Sequence, residues 1–188
     1  DGFGAAVAKA EELAAQPGYF WARQFGNEAN PAIHYQTTGQ EIIKAFDGKT
    51  PDAYISGIGT GGTITGVGRA LKEVNKDVEI IGVEPEEAPF ISKGQKGKHR
   101  IQGISAGFEP SIIDREVIDG FELVTSDDAI ETAKNLAAKE GILAGISSGA
   151  AVTAALRVAK RLGKGKSVVV LLPDTGERYL STGIFGEA

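Results

Sequence analysis

From Tyr54 to Gly66 the chain reads Tyr-Ile-Ser-Gly-Ile-Gly-Thr-Gly-Gly-Thr-Ile-Thr-Gly. An apolar, β-branched run gives way to glycines and threonines, and a helical pattern follows through Val67, Ala70, Leu71 and Val74. Strand, tight loop and helix start, in that order, aim several backbone N–H groups and the positive end of a helix dipole at one point. Glycines let the backbone come close and adopt positive φ, and the hydroxyls of Thr60 and Thr63 add donors. The chemistry such a loop serves is capture of a phosphate.

Three kinds of phosphate ligand compete. A nucleoside-triphosphate loop ends in Lys followed by Ser or Thr, and no such pair stands here. A dinucleotide fingerprint is met by Gly57-x-Gly59-x-x-Gly62, with Glu84 closing the next apolar strand (Ile80–Val83) at the place of a ribose-binding acid. The third is a compact loop around the single phosphate of pyridoxal 5′-phosphate. A plain glycine turn is the remaining alternative. Adjacent glycines flanked by threonines carry an entropic cost that a simple connection does not need.

The elements that must position this loop can be read in order. Residues 5–15 predict a helix with Val7, Ala10, Leu13 and Ala14 on one face, ended by Pro17-Gly18. Tyr19–Phe25 predicts a short aromatic strand, and 26–31 a turn-rich connection suited to a domain crossing. Thr38 and Glu41 have capping-box spacing ahead of a helix with Ile42, Ile43 and Phe46. After a strand at Phe121–Val124, Ser126 is the expected cap of a helix with Asp127 and Asp128 in its first turn, ended by Gly141. Ile142–Ile146 predicts a strand leading through Ser147-Ser148-Gly149 into a helix over Ala150–Leu162. Ser167–Leu172, apolar on both faces, predicts an interior parallel strand. The class is therefore α/β with an open, mostly parallel sheet. Ligands of such sheets sit outside the carboxyl ends of the strands. The glycine loop, Ser147-Ser148 and Asp174-Thr175 thus converge on one rim.

Composition narrows the partners. The chain has 188 residues and a net charge of −5, with both signs interspersed. Neither nucleic acid nor an anionic membrane surface is an expected partner. No apolar run reaches the ~20 residues that span a bilayer, and no signal-peptide pattern is found in the first residues given. Cys is absent, which excludes disulfides and thiolate metal sites and fits the cytoplasm. Met is absent as well, and the chain starts at Asp1; a piece of a longer protein is expected. His34 and His99 lack a second ligand at metal spacing, so no metal or catalytic role is expected of them. Lys93, Lys96, Lys98, His99 and Arg100 read as a solvated loop or as a basic rim for an anionic substrate or a carboxylate-bearing peptide.

Four stretches together are recognisable: Ile58–Thr63, Ile101–Ile104, Gly141–Ala151 and Gly176–Thr182. From Asp1 to about Phe185 the chain resembles cysteine synthase (O-acetylserine sulfhydrylase), a fold-type II pyridoxal-phosphate enzyme with cystathionine β-synthase as a relative. The resemblance implies an open three-layer α/β/α sheet over residues 28–188, preceded over 1–27 by the end of a smaller α/β domain. It implies that Gly59, Thr60, Gly61, Gly62 and Thr63 hold the cofactor phosphate and that Ser147 faces the pyridine nitrogen. Gln24 matches a glutamine near the substrate carboxylate, Gly103 lies in a pocket-lining segment, and Asp174 stands beside the ring. The implied reaction converts O-acetyl-L-serine and sulfide to L-cysteine and acetate, with homocysteine as the alternative nucleophile. Implied partners are a second copy in a homodimer and the C-terminal tail of serine acetyltransferase. One part is missing from the pattern. The Schiff-base lysine and the loop that grips the substrate carboxylate have no counterpart here, and Lys72, Lys76, Lys134 and Lys139 read as surface residues. A dinucleotide-binding domain and a non-catalytic acetyltransferase-binding module are the readings from other classes.

Overall fold

The computed structural model describes residues 3–186, with side chains from residue 5 onward. Four strands, β1 (Ala53–Gly57), β2 (Glu79–Pro85), β3 (Gly120–Val124) and β4 (Val168–Val170), form one parallel sheet in the order β3-β2-β1-β4. Period-two alternation divides their side chains between two apolar slabs. Ala53, Ile55, Ile81 and Val83 face one slab, completed by Ile146, Ala150, Ala154 and Val158 of α7 (Ile146–Leu162). Tyr54 and Ile80 face the other, with Ile64, Val67 and Leu71 of α4 (Gly62–Val74). Each large aliphatic side chain buried in this way contributes roughly 1.5–3 kcal/mol, so the two slabs dominate the stability. The predicted three-layer α/β/α arrangement is the observed one.

Outer helices complete the layers. On the α4 side lie α2 (Ala29–Gln36) and α3 (Thr38–Ala45). On the α7 side lies α6 (Ser126–Asn135), which runs into a π-turn at Leu136–Glu140 and ends at Gly141 with φ 69°. Close approach needs small residues: a Cβ at Gly39 would stand 2.6 Å from the Ala70 Cβ. The other α-helices among the described residues are α1 (Phe3–Ala14) and the single turn α5 (Phe90–Lys93). In α1 the expected face of Val7, Ala10, Leu13 and Ala14 is the half-buried one.

Several local expectations fail for identifiable reasons. Tyr19–Phe25 forms no strand, because no neighbouring strand among the described residues offers it a ladder; Phe20 is 88% exposed. Residues 29–31, the end of the expected turn-rich connection, instead open the helix α2, since Pro31 sits in its first turn where its missing N–H is not needed. The capping box of Thr38 and Glu41 does not form. Thr37 is the N-cap, and the Thr38 hydroxyl instead meets His34 Nδ1 at 2.9 Å. Thr125, not Ser126, caps α6, accepting from the Asp128 N–H at 3.1 Å. The strand predicted at Ile142–Ile146 is reduced to one antiparallel bridge, Ala144 with Thr175. Both flanks of β1 are already taken, by β2 and β4. The strand at 167–172 has both faces covered as predicted, Val168 and Val170 against α7 and Val169 and Leu171 against the opposite slab, but β4 is an edge strand.

Candidate functional site

The strand order creates the site before any side chain does. From β1 the chain steps to β2 and β3 on one side, then returns as β4 on the other. The carboxyl ends of β1 and β4 therefore flank a topological switch point, where open α/β sheets leave a crevice. A cavity of about 260 Å³ lies there, near the lower end of small-ligand pockets (~300 Å³). Ser56 and Gly57 at the end of β1 line it with Gly59, Thr60, Gly61, Thr63 and Ile64 beyond, as do Leu171, Pro173 and Asp174 after β4, with Gly103, Ile104 and Ser147.

The glycine loop is built as its sequence implies. Gly61 is the N-cap of α4 with φ 81°, a left-handed conformation that favours glycine, and α4 begins at Gly62. The segment after Ile101 folds over the loop so closely that a Cβ at Gly59 would stand 2.5 Å from the Gly103 carbonyl oxygen. The Asn30 side chain lies on Gly62 in the same way. Thr60 Oγ1 accepts from Asn30 Nδ2 at 3.0 Å and from the Gly62 N–H at 3.3 Å. Thr63 Oγ1 meets His34 Nε2 at 3.3 Å, and burial lowers the pKa of that imidazole. Backbone N–H groups, two threonine hydroxyls and a helix N-terminus at one end of a small cavity are the donor set a phosphomonoester needs.

Ser147 stands elsewhere on the cavity wall. Because α7 starts at Ile146 with Gly145 as its cap, Ser147 and Ser148 occupy the first helical turn instead of preceding it. Ser147 lines the cavity and is 5% exposed, whereas the Ser148 hydroxyl is buried with no hydrogen-bond partner among the described residues. Asp174, also on the wall, accepts from the Tyr179 hydroxyl at 2.6 Å. Burial first, and then Asp174, push the Tyr179 pKa up to about 12.

The structure thus brings together Gly59, Thr60, Gly61, Thr63, Gly103 and Ser147 around one cavity, with Gly62 opening α4 beside it. It does not bring in the side chain of Gln24. With its strand unformed, Gln24 is exposed and lines a separate apolar groove of about 540 Å³ beside α1, with Trp21, Phe25 and Phe108. Glu84 is not available to a ribose. It is 1% exposed and accepts from the Ile91 and Ser92 N–H groups at 2.6 and 2.8 Å, securing α5. The dinucleotide alternative loses its acid there. Lys72 is less free than predicted, its ammonium held by Asp119 within 2.9 Å. In the basic loop Arg100 pairs with Asp127 and Lys96 lies 5.5 Å from the Phe90 ring centroid. The described residues contain no group of His, Asp or Glu able to hold a metal, and no helix long and apolar enough to cross a membrane.

Two contributors escaped the sequence reading: Asn30 and His34. Both lie on α2, four residues apart, and Thr38 continues the same spacing. That periodicity was the available signal, hidden by reading Asn30-Pro31 as a turn.

Residues 1–174 match the family model described as pyridoxal-phosphate dependent enzyme. A cysteine synthase of Staphylococcus aureus strain Mu50 is 51% identical over 180 residues, which cover 96% of this chain and 58% of that protein. Among solved structures, O-ureido-L-serine synthase gives a TM-score of 0.94 at 44% identity, covering 98% of this chain and 58% of the other. An O-acetylserine dependent cystathionine β-synthase from Helicobacter pylori gives 0.91 at 40%, covering 97% and 59%. The chain therefore spans 58% of the length of the curated relative it matches. A family model matched over residues 1–174, joined to a fold that superposes on these structures, is decisive: the chain belongs to the pyridoxal-phosphate dependent enzymes, with the sheet of fold type II.

Proposed function

We propose that this chain, completed by a segment that carries the Schiff-base lysine, performs β-replacement on O-acetyl-L-serine, exchanging acetate for sulfide to give L-cysteine. The observation that carries the reading is the cavity at the switch point, with a donor-rich loop suited to a phosphate on one wall and the buried Ser147 on another. Bound there, the cofactor supplies an electron-withdrawing ring to the amino-acid substrate. The chain's own residues hold and orient it. The loop from Gly59 to Thr63 takes the phosphate through N–H groups and the Thr60 and Thr63 hydroxyls. Ser147 offers a neutral hydroxyl to the ring nitrogen, which does not retain a proton there as a carboxylate would. Gly103, pressed on Gly59, closes the wall over the loop. Gln24 meets the substrate carboxylate once its segment gains the strand partners it lacks here.

In this reading residues 1–27 belong to the smaller domain and 28–188 to the large one. The protein works in the cytoplasm as a homodimer, and the tail of serine acetyltransferase is a candidate partner. The relative from Helicobacter pylori supports a second reading, with homocysteine as nucleophile and cystathionine as product. One experiment separates them. The chain is co-expressed with the N-terminal part of the Staphylococcus aureus relative, and amino-acid products are measured with O-acetylserine plus either sulfide or homocysteine. Cysteine as main product is expected; cystathionine would install the second reading, and a complex free of pyridoxal phosphate would overturn both.

A further inference from the structure

We infer that Asn30 is a positioning residue of the phosphate site, fixing the Thr60 hydroxyl so that its proton can only point into the cavity. The inference rests on the phosphate assignment and adds to it a residue outside the loop. The Gln24 carbonyl can only accept, and Asn30 Nδ2 donates to it at 2.8 Å. That bond decides which way the amide faces. The second hydrogen of the same nitrogen goes to Thr60 Oγ1 at 3.0 Å, and the Gly62 N–H donates to that oxygen at 3.3 Å. A hydroxyl has two acceptor lone pairs and one proton. With both lone pairs engaged, the proton takes the remaining direction, into the cavity that Thr60 lines. A free threonine would spend rotamer entropy finding that orientation on binding; here it is set beforehand.

The glycine at 62 is part of the device. The Asn30 amide rests where a Cβ at that position would stand, so any other residue at 62 pushes Asn30 off Thr60. Through the same amide the cradle is tied to the backbone at Gln24, in a segment where Arg23 adopts φ 48° and the Gly26 N–H closes a turn on the Arg23 carbonyl at 2.8 Å. A shift of that segment would free the amide and release the Thr60 proton from its aim.

A double-mutant cycle tests this, since positions acting through one another are non-additive. Asn30→Leu keeps the volume over Gly62 and removes both donors; Thr60→Val removes the hydroxyl at constant shape. Binding of pyridoxal 5′-phosphate and of inorganic phosphate to the full chain is measured by calorimetry and by ³¹P NMR. Asn30→Leu should weaken both ligands ~3–10-fold in the wild-type background and have no further effect in Thr60→Val. Equal losses in both backgrounds, or none in either, would overturn the inference while leaving the cofactor reading intact. If the unaltered chain binds neither ligand, the cofactor reading itself fails and takes the inference with it. Should Asn30→Leu not fold by circular dichroism, Asn30→Ala carries the same cycle.

Discussion

Two stretches of the chain carry the same plan on paper, an apolar run, a knot of small residues and a helix, and they fold differently. At 53–74 the plan is realised in full: β1 is paired on both sides, Gly61 takes a left-handed turn, and α4 starts at once. At 142–162 the strand collapses to one bridge and the helix starts early, drawing both serines into its first turn. Local pattern is equal in the two; sheet neighbours are not. A strand needs an open ladder, and the second run lies past the carboxyl end of β4, where residues 174–176 meet it through a single bridge. The consequence is functional. The first unit presents backbone donors, which suit an anion, and the second presents one side-chain hydroxyl, which suits a neutral or weakly basic atom.

The sharpest way to break the comparison is through the glycine each helix uses to sit close to its neighbour. A Cβ at Gly66 would strike the Pro31 carbonyl and stand 2.8 Å from the Tyr35 nitrogen; one at Gly149 would strike the Ala129 carbonyl and stand 2.8 Å from the Ala133 nitrogen. Backbone cannot swing aside, so Gly66→Ala and Gly149→Ala should each destabilise by ~3 kcal/mol, lowering Tm by ~6–12 °C in thermal melts. They should part in binding. Gly66→Ala displaces α2, with Asn30 and His34, and abolishes phosphate binding; Gly149→Ala leaves it within ~3-fold of the unaltered chain. Equal binding losses would show the two units to be one.

Next in size is the loss of side-chain donors. Charge-assisted hydrogen bonds are worth ~1.5–3 kcal/mol each. Replacing Thr60 and Thr63 together by Ala should therefore weaken pyridoxal 5′-phosphate at least ~10-fold in a titration. Ser147→Ala should leave inorganic phosphate affinity within ~2-fold and shift only the absorbance of the bound ring.

A smaller effect concerns how the second unit's exit strand is fastened. β4 has three residues, and the Asp52 carboxylate holds its approach, accepting from Lys166 Nζ and the Ser167 N–H, both at 2.8 Å. Lys166 first, then the Ser167 N–H, bring its pKa from 3.8 down to about 2. A carboxylate with a depressed folded pKa adds stability above its unfolded value and loses it as pH falls through the folded one. Acid melts should steepen between 3.8 and about 2, and Asp52→Asn should flatten that slope. An unchanged slope would mean β4 is held by its ladder alone. The smallest expected effect is a gain: Ser148→Ala removes a buried hydroxyl without a partner and should raise stability by up to ~1 kcal/mol, or ~2–4 °C in Tm.

The sequence by itself determined the α/β class, three of the four strands nearly to the residue, and the glycine loop with its threonines. These are local statements: period-two and period-3.6 patterns and positive-φ glycines are written within a few neighbouring residues. Ser147 was legible as well, though its place inside a helix was not. Only the tertiary structure decided that Ile142–Ile146 would not be a strand, that β4 would be an edge, that Glu84 would be spent on α5, and that Asn30 and His34 would reach the loop from a helix hidden behind a proline. Each depends on which surfaces are already occupied when a segment arrives. Competition for ladder positions and buried donors is settled between parts of the chain far apart in sequence, and no local pattern records its outcome.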